Sequence, residues 1–275
     1  MADYPPPKHV HRDLHIEVDQ REELPTVRAP VVRELLGSDG AVRTGALAVP
    51  LDVFGGNLAV EAATPDWALT AQLELHVLTP LREGTITVSG RPLRAGKTNL
   101  VAEARIDASD AARLRGDAPC AVGRLTFTRV PVRGGEPPRA RRGGLLYGFA
   151  EGGEKFEQPF HDAIGLRTLD PAAGAVELAL VPYVVNSVGA LQGGLVVALA
   201  DASAERAGRA LLAREVVTTD LSVHFLALGK QGPFRTRATR LRSDPETALF
   251  SVEILDAGQE DRLMAVATAR VARVR

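Results

Sequence analysis

The chain of 275 residues carries 33 Lys+Arg against 34 Asp+Glu, a formal charge of -1, 45% hydrophobic and 4% aromatic residues, and one cysteine. Balanced charge and scarce aromatics provide neither a phosphate-neutralising surface nor a base-stacking platform, so no nucleic-acid partner is expected. Cys120 alone excludes a disulfide framework or a multi-cysteine zinc site. Residues 1–13 lack the apolar core of a signal peptide, and no uninterrupted apolar stretch approaches the roughly 18 residues of a membrane span. A cytoplasmic location without a membrane partner is therefore the expectation.

In chain order, His9, His11 and His15 read as a loose terminus, because no further ligands gather around them. A turn-rich segment, 37–45, leads into an apolar stretch at helical spacing over 46–63. Pro50 inside it removes a hydrogen bond, so the helix is expected to kink or start late there, which would displace Asp52. Alternating runs at 73–77, 85–89, 100–106 and 125–130 predict antiparallel strands with one wet face. Gly96-Lys97-Thr98 resembles the end of a phosphate-binding loop, but Gly90 stands one residue too far away and no helical pattern follows. Residues 133–155 are dense in Gly, Pro and Arg and predict a linker, with Arg139, Arg141 and Arg142 on a solvated stretch. Beyond it, a second turn precedes a helix over 195–213, and strands are predicted at 221–225, 234–241, 248–254 and 263–271.

The second series duplicates the first. Gly37-Ser-Asp-Gly-Ala-Val-Arg-Thr-Gly45 lies without a gap over Asn186-Ser-Val-Gly-Ala-Leu-Gln-Gly-Gly194, and the same register places Asp52 over Asp201. After a single indel, Thr70 to Leu78 lies over Thr218 to Leu226, with His76 opposite His224. The organisation expected is a repeat at 10–132, a linker at 133–155 and a repeat at 156–275. Each repeat is one long helix against an antiparallel sheet, an α+β fold. An aspartate on an apolar helix face is costly to bury unless it is paired or functional, and the duplication favours function for Asp52 and Asp201. Thr70 and Thr218 divide evenly between roles. His76 and His224 read as half-buried strand residues.

The motif Asn186-x-x-Gly189-x-x-Gln192-Gly193-Gly194, then Asp201 on the helix and Thr218-x-Asp220-Leu-x-Val-x-Phe225, resembles the hotdog-fold acyl-CoA thioesterases of the phenylacetate-pathway type. The resemblance spans both repeats and implies a tandem double hotdog. It implies hydrolysis of an acyl-CoA to free acid and coenzyme A without a cofactor or metal, and pairing of two chains into a homodimer. It also implies that a turn glycine, Gly193, offers its amide to the thioester carbonyl, that the helix acid activates water or attacks directly, and that Asn186 orients substrate. In the first repeat these roles fall on Thr44, Asp52 and Gly37. Where the family carries a histidine before the glycines, this chain has Gln192 and Arg43.

An acid eight residues into a helix lies roughly 12 Å from its own N-terminal amides, too far for both to act on one carbonyl. Two such helices packed antiparallel bring each acid to the other's N-terminus. Crossed sites are therefore expected, one joining Asp52 and Thr70 to Asn186, Gln192, Gly193 and Gly194. The other joins Asp201 and Thr218 to Arg43, Thr44 and Gly45. The first keeps the complete polar set and ranks first. Alternatives are a non-catalytic acyl-CoA binder or an enoyl-CoA hydratase on the same fold, the latter disfavoured because Asn57 and Arg206 stand where its histidine would be.

Overall fold

A computed structural model describes residues 4–132, 146–149 and 156–274. The first half runs α1 (Val10–Asp13), β1 (Glu17–Asp19), β2 (Thr26–Pro30), α2 (Thr44–Ala63), β3 (Trp67–Val77), β4 (Thr85–Ala95), β5 (Asn99–Asp107), α3 (Asp110–Arg115) and β6 (Ala121–Val130). After β7 (Leu146–Gly148), the second half runs α4 (Phe160–Ala163), β8 (Arg167–Asp170), β9 (Ala175–Leu178), α5 (Gly193–Leu212), β10 (Val216–Phe225), β11 (Phe234–Ser243), β12 (Thr247–Asp256) and β13 (Arg262–Arg273). The two long helices start at equivalent residues and have 20 residues each, so the duplication extends to helix length.

The strands form one antiparallel sheet in the order β7-β1-β2-β4-β5-β6-β3-β10-β13-β12-β11-β9-β8. Its halves meet at the β3–β10 pair, where Leu75 lies opposite Leu221 and His76 opposite Asp220. His76 Nδ1 lies 2.8 Å from Asp220 Oδ1, so this histidine joins the halves on the outer face, away from the helices. The stretch expected to be a linker contributes β7, which pairs with β1 at the sheet edge. Three residues are too few to show alternation among surrounding Gly, Pro and Arg, so the pattern carries no sign of this strand. Arg139, Arg141 and Arg142 lie outside the described residues.

Alternate residues of the strands face inward onto α2 and α5, and the core comprises Leu47, Leu51, Phe54, Leu73, Leu125, Leu195, Leu199 and Phe250 among others. Helix α2 is apolar all round because the sheet covers one side and α5 the other. It has the length and composition of a membrane span, and most of its apolar residues are buried in this core. Pro50 does not break it: α2 is helical from Thr44 onward, and packing on both sides holds the turn that lacks one hydrogen bond.

The two helices cross antiparallel at glycines. A Cβ on Gly194 would lie 2.6 Å from Val49 Cα and 2.7 Å from the Ala48 carbonyl oxygen, and one on Gly45 would lie 2.7 Å from Ala198 Cα. Backbone atoms cannot yield as a side-chain tip can. Gly194→Ala is therefore expected to force the helices apart at a cost of about 1–3 kcal/mol, lowering Tm by several degrees in a thermal melt. Gly56→Ala, where a Cβ meets nothing within 4 Å, is the control and should melt at or above wild type.

Candidate active site

Antiparallel packing carries Asp52, on the third turn of α2, to the N-terminus of α5. Gln192 is the N-cap of that helix: its Oε1 accepts from the Leu195 amide at 2.9 Å, and its Nε2 donates to Asp52 Oδ2 at 2.8 Å. One side chain thus caps the helix and holds the acid. Thr70 Oγ1 donates to Asp52 Oδ1 at 3.1 Å. The ladder between β3 and β6 slips between Thr70 and Gln72, a bulge that re-aims the strand beside the acid. Burial raises the Asp52 carboxyl to about 6, opposed by the Thr70 hydroxyl and the Gly194 amide. A Cβ on Gly193 would lie 2.8 Å from Asp52 Oδ1, so only glycine leaves the carboxylate in place.

A cavity of about 500 Å³ opens beside this cluster. Asp52, Thr70, Asn186, Gln192 and Gly193 line it, together with Val53, Gly56 and Asn57 further along α2. Asn186 does less than expected. Its Oδ1 accepts from the Val188 and Ala190 amides, both at 3.0 Å, so that oxygen shapes its own turn and is not available to a substrate.

The second cluster has the same skeleton and a different interior. The Gly45 amide donates to Asp201 Oδ2 at 2.9 Å, and Thr44 Oγ1 donates to the Thr218 carbonyl at 2.6 Å. Arg43, in the place of Gln192, makes no helix cap and instead pairs with Glu205 at 2.8 Å. Glu205 stands where the first half has Gly56, and Arg206 where it has Asn57. Arg206 reaches Thr168 Oγ1 at 3.0 Å and His161 Nδ1 at 3.4 Å. The space open beside Asp52 is thus filled by charged side chains beside Asp201, which is 0% exposed. The Thr218 hydroxyl faces Asp201, as Thr70 faces Asp52, and opposes the effect of burial on it. Burial raises the Asp201 carboxyl. Of the residues expected to bind substrate here, the Arg43 guanidinium, the Thr44 hydroxyl and the Gly45 amide are each engaged within the fold.

Residues 182–273, most of the second repeat, match the family model of the acyl-CoA thioesterase N-terminal domain. The second repeat is thus similar in sequence to acyl-CoA thioesterase domains. Solved structures extend the likeness to its full length. A protein assigned as thioesterase II of Thermobifida fusca YX superimposes with a TM-score of 0.61 at 17% identity, covering 98% of this chain and 99% of that one. The acyl-CoA thioesterase II TesB2 of Mycobacterium marinum gives 0.57 at 12% identity over 93% and 95%. A hot dog fold protein of unknown function from Alicyclobacillus acidocaldarius gives 0.58 at 14% identity over 97% and 98%. At these identities the superpositions establish the fold alone, a double hotdog. A search of curated protein sequences gave no match.

Around the cavity stand residues that the sequence did not single out. Tyr4, His11, Gln20, Tyr147 and Phe149 line it, all from short segments of the sheet edge and the start of the chain. The early histidines are not on a loose terminus. His9 and His11 are 0% and 4% exposed, and His9 Nε2 lies 2.8 Å from the Val185 carbonyl across the repeat boundary. Burial pushes the His9 imidazole down to about 4 and that of His11 well below its ordinary value. Burial, and then the charge of Asp52, push the Tyr4 phenol up, which places that ring within electrostatic reach of the acid. Among the described residues no group of His, Cys, Asp and Glu is arranged to hold a metal. The one signal for these contacts in the sequence is that Val10-His11 and Phe160-His161 occupy matching places, on α1 and α4.

Proposed function

We propose that the protein hydrolyses acyl-CoA thioesters at a single site, with Asp52 as general base and the N-terminus of α5 as the oxyanion site. The observation that carries this is the difference between the repeats. Asp52, held by Gln192 and Thr70, borders an open cavity, whereas Asp201 is sealed by Arg43 and Glu205.

In this reading the thioester carbonyl lies at the first turn of α5, where aligned peptides contribute about half a positive charge. Gln192 caps the Leu195 amide and the Gly194 amide faces Asp52, which leaves the Gly193 amide for the carbonyl oxygen. Asp52 removes a proton from water as the water oxygen attacks the carbonyl carbon. Negative charge builds on the carbonyl oxygen, where the helix end stabilises it. Collapse re-forms the carbonyl, breaks the carbon–sulfur bond and releases coenzyme A as thiolate, which takes the proton held by Asp52. Gln192 and Thr70 fix the carboxylate in the orientation that this proton transfer requires.

The test is release of free thiol from a panel of acyl-CoAs. Saturable binding without thiol release identifies a non-catalytic binder, and hydration of an enoyl-CoA identifies the hydratase alternative. A pH profile gives a second check. A base must be ionised, so kcat/KM is expected to fall about tenfold per pH unit below about 6, the value to which burial lifts Asp52, and to level off above it. A profile flat through the acidic range removes Asp52 as the base.

A further inference from the structure

Five residues beyond Asp52, and about 7.5 Å further along the helix axis, α2 carries Asn57 into the same cavity. Asn57 Nδ2 donates to the Val53 carbonyl at 2.8 Å, which fixes the orientation of its amide. Its Oδ1 accepts from Gln20 Nε2 at 3.1 Å and from the Tyr147 hydroxyl at 2.8 Å. Both acceptor positions of that oxygen are therefore in use. The same contacts orient Gln20, since turning its amide over would set two oxygens against each other. Gln20 Oε1 remains: the residue is 6% exposed, lines the cavity, and this oxygen has no partner.

A buried acceptor without a donor costs about 1–3 kcal/mol, and the cost disappears when a ligand brings one. Much of the surrounding wall is apolar, with Val53, Val60, Trp67, Leu69, Phe127 and Phe149, and Glu61 and Thr128 also line it. Leu226 and Leu228, which are 56% and 37% exposed, also line the cavity, so it reaches solvent as the bulk of coenzyme A requires.

We infer that Gln20, Asn57 and Tyr147 form a subsite for a polar acyl chain, in which Gln20 Oε1 accepts from a hydroxyl or amide N–H carried by that chain. This rests on the thioesterase reading above and adds a substrate class to it, acyl groups that carry a hydrogen-bond donor. The subsite has no counterpart in the second half, where Arg206 stands in the place of Asn57 and engages Thr168 and His161.

The experiment compares hexanoyl-CoA with omega-hydroxyhexanoyl-CoA as substrates of the full-length protein, and repeats the pair as N-acetylcysteamine thioesters that lack most of the pantetheine arm. The hydroxylated chain is expected to have the higher kcat/KM by about tenfold or more, in both thiol series. Gln20→Met, similar in length without the acceptor, is expected to bring the ratio to about one, and Tyr147→Phe to lower it in the same direction. Equal rates for the two chains in wild type overturn the inference, whether or not the variants fold. So does a loss on Gln20→Met of discrimination between the two thiols with none between the two chains, which would place the donor on the pantetheine arm. If none of the four esters is hydrolysed, the thioesterase reading itself has failed, a result distinct from hydrolysis without preference.

Discussion

Asp52→Asn is expected to lower kcat by about a hundred- to ten-thousand-fold, the usual range for loss of a positioned base, while Asp201→Asn stays within about threefold of wild type. The two aspartates occupy the same place in the repeat, so sequence alone treats them as a pair. Their surroundings separate them. Asp52 borders the cavity with both oxygens held by side chains that leave a path for water. Asp201 is enclosed and 0% exposed, with one oxygen on the Gly45 amide.

Both substitutions are near-isosteric, so neither should unfold the protein. The carboxamide oxygen introduced at position 52 can still accept from the Thr70 hydroxyl, and the one introduced at position 201 can still accept from the Gly45 amide. Removing a charge from the enclosed site should raise Tm or leave it unchanged, because it relieves a buried carboxylate. Single-turnover rates and thermal melts on the same preparations check both halves of the expectation. Equal losses of rate would mean that the second site opens in solution, and full rate in Asp52→Asn would remove the assignment of the base.

The duplication and the helix-then-strands pattern made the fold legible, because a long ungapped self-match and helical spacing both survive in local sequence. The crossed arrangement was legible as well, since the separation of acid and amide along one helix leaves antiparallel pairing as the way to join them. Two features were not. The sealing of the Asp201 site depends on Arg43 from one helix meeting Glu205 from the other, and nothing near either residue indicates the encounter. The cavity wall formed by Tyr4, His11, Gln20 and Tyr147 comes from segments too short for periodicity, brought together by sheet pairing at the edge. Gln192 was visible as a departure from the family's histidine, but its double use as helix cap and carboxylate holder appears only once α2 lies beside α5.

Arg43→Ala is expected to destabilise the protein by about 3–5 kcal/mol at pH 9 and by only about 1 kcal/mol at pH 6, because breaking a buried pair strands the remaining charge. Burial, and then the nearby charge of Asp201, raise Glu205 from 4.5 to about 8; the Arg43 cation opposes that rise without cancelling it. A carboxyl with a raised folded pKa binds its proton more tightly in the native state, so stability falls as pH climbs from the unfolded value through the folded one. Wild type should therefore lose stability from this group between about pH 4.5 and 8. At pH 6 Glu205 is largely protonated with or without Arg43, and the variant loses little more than a hydrogen bond. At pH 9 wild type carries the ionised pair, whereas the variant must either bury a lone carboxylate or hold a proton against the solvent. Urea melts at the two pH values measure the difference, and a pH-independent loss would show that Arg43 acts through packing alone. Combining Arg43→Ala with Glu205→Leu should restore most of the stability at pH 9, as replacement of buried ion pairs by apolar residues has little net cost. Turnover at the Asp52 site should be nearly unaffected by the pair, which would separate the charged filling of the second site from the chemistry of the first.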